Sequence, residues 1–345
     1  FLKIHLFHLL MTQILGIVKE GKLIPEDLWI KLISGMENDF DSLETNNERA
    51  KRKIAEAITN SIKKRIQVEP CSTVHLSSAQ IVAPKFGILF SGGVDSTLIA
   101  FSARKMNCSF TCYTVGIEGS DDIEWAKRAA DEYKFNFKYK ILNLDELEIA
   151  LKSAIKILND ADIVKASVGS VLYAAGKLAL ADNNKILFGG IGSEEIFAGY
   201  KRHEDALKNQ RFLGHQNRKA IFSAMQNGFE ALHKECWNGL KGMWQRDLTR
   251  DFAIAKHLGL DLRAPFLDKE LIKAAMNVHP MYKLDKDNKK IILREAAEFI
   301  GLKKEFAWRK KQAAQYGSNF VNGIEKLAKR KGFKLKKDYL QSLLK

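Results

Sequence analysis

The sequence predicts an α/β fold, in which a parallel twisted sheet carries helices on both faces and a helical C-terminal region follows. Short continuous apolar runs recur from Phe86 onward, each is followed by an amphipathic helical pattern, and few strand patterns occur beyond about Glu204. Strands buried on both faces are continuously apolar, whereas strands with one wet face alternate. The repeated strand-then-helix pattern therefore indicates a parallel sheet covered on both sides.

The first strand–helix unit begins at Phe86, where FGILF runs directly into SGGVDS and STLIAFSARKM resumes helical spacing. The strand SFTCYTVGI and the helix DDIEWAKRAADEYK follow, and FKYKIL and KILFGG are further strands, the last leading into SEEIFAGYKRH. Residues from about 11 to 67 read as helices. Pro25, Glu26 and Asp27 suit the start of one of them, because proline and acidic residues favour the first turn.

Three ranges describe the predicted organisation: a helical N-terminal segment at 1–70, a strand–helix domain at 80–205, and a helical C-terminal part at 206–345. The stretch 68–84 contains two prolines and several serines and threonines, so it reads as a linker or an irregular entry strand. The apolar residues 1–18 include charged and polar side chains, and no membrane span is expected there.

The formal net charge of +15 and the isoelectric point near 9.5 indicate a surface that attracts polyanions such as nucleotides, RNA or acidic partners. Lysine and arginine cluster at 51–65 and 326–337, where helical spacing of apolar residues favours solvated helix faces over a docking surface. The four cysteines form neither a CxxC pair nor a disulfide framework, which is typical of a cytoplasmic protein.

The turn Ser91–Ser96 carries the strongest chemical signal. It joins the end of a predicted strand to the start of a predicted helix, where unpaired backbone N–H groups and the helix dipole favour an anion. Its glycines allow close backbone approach, and its hydroxyls add donors, so the turn suits a pyrophosphate. Asp95 fits there only if Mg²⁺ lies between it and the phosphates. The alternative is a tight structural turn; neither a Walker A nor a GxGxxG pattern is present.

With this turn the sequence resembles the synthetase domain of asparagine synthetases, within the N-type ATP pyrophosphatases. Four further blocks match in the same order: TVGIEGSDD at 114–122, LFGGIGSEEIFAGYKRH at 187–203, LDLRAPFLD at 260–268 and WRKKQAAQYGS at 308–318. The resemblance implies an adenine nucleotide alpha-hydrolase-like fold and makes 80–205 an ATP pyrophosphatase domain. It also implies ATP and Mg²⁺ as cofactors and a ligase that activates a carboxylate, aspartate by default, as an acyl-adenylate.

The resemblance assigns one group of residues to the nucleotide. These are Phe90, Ser91, Gly92, Gly93, Asp95, Ser96, Val115, Gly189 and Gly190. Phe90 and Val115 would flank the adenine, and both are also plausible core residues. Lys311 matches the lysine that neutralises developing negative charge, so Lys311 and Asp95 are the implied catalytic residues.

A second group is assigned to the substrate or the metal. The implied substrate-binding residues are Asp122, Glu194, Glu195, Asp261 and Asp268, and the implied metal ligands are Asp95 and Glu194. For each carboxylate a structural alternative stays open. Acidic residues also complement a helix dipole at its first turn. Asp261 or Asp268 could instead form an internal salt bridge with Arg263.

Two departures from the family pattern bear on the nitrogen donor. Asparagine synthetases usually read SGEGSDE where this chain reads GGIGSEE, so Ile191 replaces a glutamate thought to receive ammonia. This GIG turn is similar to that of divergent asparagine synthetase domain-containing proteins that lack the glutaminase domain, and no catalytic cysteine opens the sequence. The expected partners are a small-molecule carboxylate and ammonia or an amine, with a separate glutaminase subunit as one route.

Two other functions are also compatible with the sequence. An RNA-modifying adenylase of the same loop family would suit the positive charge, although RNA is the less favoured partner. A nucleotide-binding regulatory protein that has lost catalysis would suit the loss of the glutamate at Ile191.

Overall fold

The protein is represented by a computed structural model that describes residues 18–19, 22–66, 85–209, 218–310 and 312–344. The described residues form two compact units, and each unit is assembled from separated stretches of chain. The first, called the helical unit, comprises residues up to Lys64 with Gly190–Gln245 and Ala264–Ala307; the second, called the sheet unit, comprises Arg65–Gly189, Arg246–Arg263 and residues from Trp308 onward. Each of the three predicted ranges therefore supplies residues to both units.

The strands and helices alternate along the middle of the chain as the sequence predicts. The strands are β1 Val18–Lys19, β2 Lys22–Leu23, β3 Phe86–Leu89, β4 Phe110–Gly116, β5 Phe137–Ile141, β6 Ile186–Phe188 and β7 Asp261–Arg263. The helices are α1 Glu26–Ser34, α2 Asn47–Ile66, α3 Val94–Lys105, α4 Asp121–Tyr133, α5 Leu144–Leu158, α6 Ile163–Ala181, α7 Ser193–Ile196, α8 Lys201–Asn209, α9 Arg218–Met243, α10 Thr249–Leu258, α11 Lys269–Met276, α12 Ile291–Ile300, α13 Lys304–Ala307, α14 Ala314–Gly317, α15 Phe320–Arg330 and α16 Lys336–Ser342.

The sheet unit is built on a five-stranded, fully parallel sheet in the order β5, β4, β3, β6, β7. Strand β3 is central, and the register sets Phe86 opposite Phe110 and Gly87 opposite Leu187. Strand β4 is buried along its whole length, as expected for a parallel strand covered on both faces. The predicted α/β fold is confirmed, with one addition: β7 is a short strand in a region where the sequence predicts few strands.

The sheet unit owes part of its helical structure to local capping. Asn143 forms a capping box with Glu146 at the start of α5, and the Asp162 side chain accepts from the Val164 and Lys165 backbone N–H groups at the start of α6. These side chains satisfy amides that a helix start leaves without internal partners. Apolar residues of β4, α5 and α15 then form a common core, in which Val115, Leu147 and Phe320 are buried.

Helix α6 is long and apolar enough to cross a membrane by length and composition, and no other helix in the described ranges meets that test. Its packing is that of a core helix. A Cβ added at Gly169 would lie 2.8 Å from Ile254 Cδ1, and one at Gly176 would lie 2.7 Å from Leu258 Cδ1. The two glycines therefore let α6 approach α10 closely, and within the sheet unit the apolar face of α6 is covered by protein.

The helical unit contains α1, most of α2, and helices α7–α9 and α11–α13. Trp29 of α1 is fully buried, and its indole N–H donates to the Leu240 carbonyl oxygen of α9 at 2.9 Å. Helix α1 begins just after Pro25, as its sequence predicts, and α2 is amphipathic, with Ile54, Ile58 and Ile62 buried on one face. The described part of this unit includes one antiparallel pair of two-residue strands, β1 and β2.

Candidate active site

The turn between β3 and α3 has a backbone that only glycine adopts comfortably at its second position. Gly92 has φ +70°, and a Cβ there would lie 2.6 Å from the Trp125 carbonyl carbon. Gly93 has φ −75°, and a Cβ there would meet only Ser91 Oγ at 3.3 Å. The first glycine is thus required by close backbone packing against α4, whereas the second leaves space beside the helix start.

Helix α3 begins at Val94 with no side chain capping its N-terminus, so its first amides are not satisfied by a cap. Ser96 Oγ donates to the Gly93 carbonyl oxygen at 3.2 Å and lies 3.4 Å from Ser91 Oγ. Asp95 is in the first turn of α3 and is partly exposed. Glycines, hydroxyls and a helix N-terminus together give the turn the donor set that binds phosphate oxygens.

Phe90 directly precedes this turn, Val115 lies near the end of β4, and both side chains are buried. The Phe90 ring packs edge-on against Phe135 and Phe137, while its carbonyl oxygen accepts from the Thr114 hydroxyl. Val115 packs in the core shared with α5 and α15. The structure therefore places both residues in the packed interior beside the turn, and their predicted contact with adenine stays a prediction.

Asp122 is tied to a residue that lies far away in the sequence. The Arg309 guanidinium donates to Asp122 Oδ1 at 2.8 Å and also to the Ser91 carbonyl oxygen. The two charged side chains are only 4% and 8% exposed, and the guanidinium lies 5.3 Å from the centre of the Trp125 ring. Asp122 is thus a buried, ion-paired carboxylate as well as a residue of the first turn of α4.

Gln312 binds the neighbouring carboxylate, because its Nε2 donates to Asp121 Oδ2 at 2.7 Å. A cavity of about 290 Å³ is lined by Trp125, Arg309, Lys310 and Gln312. Lys311, the implied catalytic lysine, lies outside the described residues. The cavity therefore has a cationic and aromatic wall next to the turn at Ser91–Ser96.

In the sheet unit Gly189 follows the last residue of β6, and Asp261 is the first residue of the neighbouring parallel strand β7. The Gly189 N–H donates to the Arg263 carbonyl oxygen at 2.9 Å, which extends the pairing of β6 with β7. Asp261 Oδ2 accepts from Arg263 at 2.8 and 2.9 Å, and Arg263 also donates to the Arg65 carbonyl oxygen. The internal salt bridge left open by the sequence is therefore present.

The helical unit holds the other implied site residues. Gly190 opens a turn that passes through the partly exposed Ile191, and Gly192 has φ +93°. The Glu194 carboxylate is paired with Lys290, whose ammonium also donates to Ser193 Oγ at 3.1 Å. Glu195 is buried, and one of its carboxylate oxygens lies 3.6 Å from Arg202. Both acidic residues thus have cationic partners in this unit.

Asp268 caps a helix in the same unit. Its carboxylate accepts from the Glu270 and Leu271 backbone N–H groups at 3.0 and 3.4 Å, at the start of α11. Lys64 lies 3.7 Å from its other oxygen. A carboxylate used in this way stabilises the helix start, and its predicted contact with substrate stays a prediction.

Burial also shapes the titration of groups near the Glu194 turn. His203 is fully buried, and desolvation lowers its pKa to about 3, with Arg202 adding to the effect and Glu194 opposing it. Its Nδ1 accepts from the Tyr200 N–H at 3.2 Å, so the ring is held as a neutral acceptor. Lys283 is likewise fully buried, and desolvation lowers its pKa to about 8.

The sequence motifs did not identify the cationic partners of the carboxylates. Lys290 lies in none of the matched blocks, whereas Arg202 and Arg309 lie inside the blocks at 187–203 and 308–318. The contacts of Lys290 and Arg309 join residues far apart in the chain, and nothing in the motifs identifies which carboxylate each one binds.

The sheet and the turn define an α/β protein of the pyrophosphate-loop class. A family model described as asparagine synthase matches residues 80–338, and the chain belongs to that family.

The chain is also similar to longer relatives. It is 29% identical over 326 residues to "Putative asparagine synthetase (glutamine-hydrolyzing) 1" of Methanocaldococcus jannaschii, covering 85% of this chain and 54% of the relative. It is 28% identical to an asparagine synthetase (glutamine-hydrolyzing) of Rattus norvegicus, covering 85% of this chain and 47% of the relative. A third, from Lotus japonicus, is 28% identical over 70% of this chain and 41% of its own length. The chain thus spans about half the length of the relatives it matches.

Proposed function

We propose that this chain catalyses ATP-dependent amide formation through an acyl-adenylate. The observation that carries the proposal is the turn Ser91–Ser96, with its left-handed Gly92 and uncapped helix start, in a chain of the asparagine synthase family. In this reaction a carboxylate oxygen attacks the α-phosphorus of ATP and pyrophosphate leaves. An amine or ammonia then attacks the acyl carbon and AMP leaves, so the products are an amide, AMP and pyrophosphate.

The role of the turn is to hold the departing pyrophosphate. Backbone N–H groups at the start of α3, with the Ser91 and Ser96 hydroxyls, would donate to its oxygens as negative charge builds up. Lys311 would supply a positive charge to the same phosphates. Gly189 and Gly190 would contact the nucleotide through their backbone, and the side chains of Phe90 and Val115 would support the adenine pocket from the packed interior.

The residues present fit Mg²⁺ at Asp95 better than at Glu194. Asp95 is partly exposed beside an anion-binding turn, whereas Glu194 is buried against Lys290. Among the described residues no group of three or more His, Cys, Asp or Glu could hold a metal ion, which agrees with an ion held by one carboxylate and the substrate phosphates. When bound, Mg²⁺ would neutralise charge on the pyrophosphate.

Aspartate is the default acid and ammonia the default nucleophile. Ile191 cannot accept a proton. The nitrogen would therefore have to arrive as ammonia that is already deprotonated and not as ammonium, or another amine would react in its place. Among the carboxylates that the resemblance assigns to the substrate, Glu195 lies beside Arg202, Asp261 is paired with Arg263 and Asp268 caps α11. A substrate amine would have to compete with these partners. Ammonia could be supplied by a separate glutaminase subunit, and the reaction would take place in the cytoplasm.

The deciding experiment is ATP–pyrophosphate exchange, measured with Mg²⁺, aspartate and ammonium, together with AMP release. Asp95→Asn is expected to lower exchange about 100-fold or more, because an electrostatic partner of the transition state is lost. Asp131→Asn, an exposed carboxylate on α4, is the matched control and should leave exchange unchanged. Release of ADP in place of AMP, or full activity of Asp95→Asn, would contradict the proposal.

The positive charge supports a second candidate, an RNA-modifying adenylase. It predicts that exchange with amino acids is absent, that AMP release requires RNA, and that activity falls steeply with salt. The same assay with and without RNA separates the two functions. ATP binding with no AMP release under either condition would favour a regulatory protein.

A further inference from the structure

Two successive carboxylates at the start of α4 each bind a side chain from the segment that follows Trp308. Asp122 accepts from Arg309 at 2.8 Å, and Asp121 accepts from Gln312 at 2.7 Å. In the sequence, the two lysines at 310 and 311 stand between these two donors. The acidic pair therefore anchors the chain on both sides of the lysines.

The contact between Asp122 and Arg309 is also connected to the turn Ser91–Ser96. The same Arg309 guanidinium donates to the Ser91 carbonyl oxygen and lies over the face of Trp125, whose backbone packs against Gly92. One planar cation thus joins the turn, the first turn of α4 and the lysine-bearing segment. A lysine ammonium cannot reproduce this arrangement, because the fork of a guanidinium donates in two fixed directions at once.

Backbone contacts continue the attachment beyond the two side chains. The Ser120 hydroxyl donates to the Gly317 carbonyl oxygen at 2.9 Å, and the Ile117 N–H donates to the Ser318 carbonyl oxygen at 3.0 Å. A Cβ at Gly317 would collide with the Asp122 carboxylate, so only glycine fits at this position. The stretch 117–122 is therefore the platform on which the segment after Trp308 is held.

We propose that Asp121 and Asp122 are positioning residues: through Arg309 and Gln312 they fix the lysine-bearing segment relative to the pyrophosphate turn, and they do not contact nucleotide or substrate themselves. The inference rests on the proposed function, since positioning matters only if the turn and the lysines share a reaction. It replaces the substrate-binding role that the family resemblance implies for Asp122. Asp122–Arg309 is the dominant anchor because it is buried, whereas Asp121 and Gln312 are exposed.

The test compares Arg309→Lys with Arg250→Lys. Arg250 is an equally buried arginine of the sheet unit that donates to Asp251 at 2.7 and 3.0 Å. Arg309→Lys is expected to lower kcat for ATP–pyrophosphate exchange about 100-fold, the order expected from misplacing a catalytic group by about 1 Å. KM for ATP should change little, because the turn itself is retained. Exchange by Arg309→Lys as fast as by Arg250→Lys would overturn the inference.

Two further variants test the partners. Asp122→Asn should reduce kcat as Arg309→Lys does, and the double variant should be little worse than either single one, because both remove the same contact. Gln312→Ala should cost only a few-fold, as expected for an exposed hydrogen bond. Independent, multiplied losses in the double variant would contradict a shared positioning role.

A readout without activity separates this inference from the proposed function. Tryptic cleavage after Lys310 or Lys311, followed by mass spectrometry, should be about tenfold faster in Asp122→Asn than in wild type, because release of the anchor raises the population of the open segment. Wild-type exchange is measured in parallel. If the wild type fails to exchange with any acid, the proposed function fails; if the wild type is active and cleavage and kcat are unchanged in Asp122→Asn, the positioning role fails.

Discussion

Two glycine turns in this protein follow buried parallel strands and lead into helices with acidic first turns, yet they differ in how deeply the acid is buried. At the first turn, Gly92 packs against backbone and Asp95 is partly exposed at an uncapped helix start. At the second, Gly192 packs against the Leu267 side chain and Glu194 is buried against Lys290. The acid of the first turn is therefore partly exposed to solvent, whereas the acid of the second is buried against the protein's own cation.

The difference teaches that an acidic pair after a glycine turn does not by itself define a metal site. A carboxylate that is buried needs a cation, and the cation can come from the protein or from a ligand. Lys290 supplies it at the second turn.

The largest expected effect comes from removing that cation. Lys290→Met should lower the free energy of unfolding by about 3–5 kcal/mol, because Glu194 is left as a buried charge. The double variant Lys290→Met with Glu194→Met should recover much of this loss. Urea unfolding followed by circular dichroism gives both values. A loss below about 1 kcal/mol in the single variant would mean that Glu194 is neutral or solvated, and the contrast between the turns would fail.

A smaller effect is expected at the first turn, where two adjacent glycines serve as test and control. Gly92→Ala should cost about 2–3 kcal/mol, from the left-handed backbone and the collision with Trp125. Gly93→Ala should cost less than about 1 kcal/mol, because its backbone is ordinary and its Cβ meets only a hydroxyl. Thermal unfolding measures the stabilities, and equal losses in the two variants would show that the Gly92 packing is not the constraint.

The smallest effect concerns pH and the second turn. Burial lowers the pKa of His203 from about 6.5 to about 3, so the unfolded chain binds a proton that the folded chain refuses. Its contribution to stability is therefore complete above about pH 6.5 and is lost as the pH falls below that value, by about 1 kcal/mol at pH 5.5.

His203→Asn keeps an acceptor for the Tyr200 N–H and removes the titration. The loss of unfolding free energy between pH 7.5 and pH 5.5 should accordingly be smaller in the variant than in wild type, by about 1 kcal/mol. Because only the change in unfolding free energy between the two pH values is compared, a difference in overall stability between the variant and the wild type does not affect the result. If the pH dependence of the unfolding free energy were the same in the variant and the wild type, the loss at low pH would be attributed to the other buried histidines, His233 and His279. Burial also lowers their pKa values.

Much of the fold could be predicted from the sequence because its signals are local. The runs FGILF and KILF become β3 and β6, DDIEWAKRAADEYK becomes α4, and the turn between β3 and α3 lies where SGGVDS places it. Strand β7 gave little signal, since three residues are too few to show a period. The division of the chain into its two units could not be read either, because each unit gathers stretches that are remote in sequence.

The site was predictable to the level of candidate residues and no further. Asp122 and Glu194 stand in matched blocks, but Arg309 and Lys290 meet them only through tertiary packing across 187 and about 96 residues. A carboxylate next to a glycine turn has the same sequence signature whether it faces magnesium or a buried ammonium. The partner decides its chemistry, and the partner is set by the fold.

Helix α6 carries no charged or catalytic group assigned to the reaction, yet it should be among the least replaceable parts of the chain. Gly169 and Gly176 are seven residues apart, two helical turns, so they line one stripe against which α10 rests. A single methyl group on that stripe would push α10 outward, and β7 follows α10 directly in the chain. On the face of α6 that contacts α10, whether a substitution is tolerated should therefore depend on the volume of the new side chain. On the opposite face its polarity should matter little.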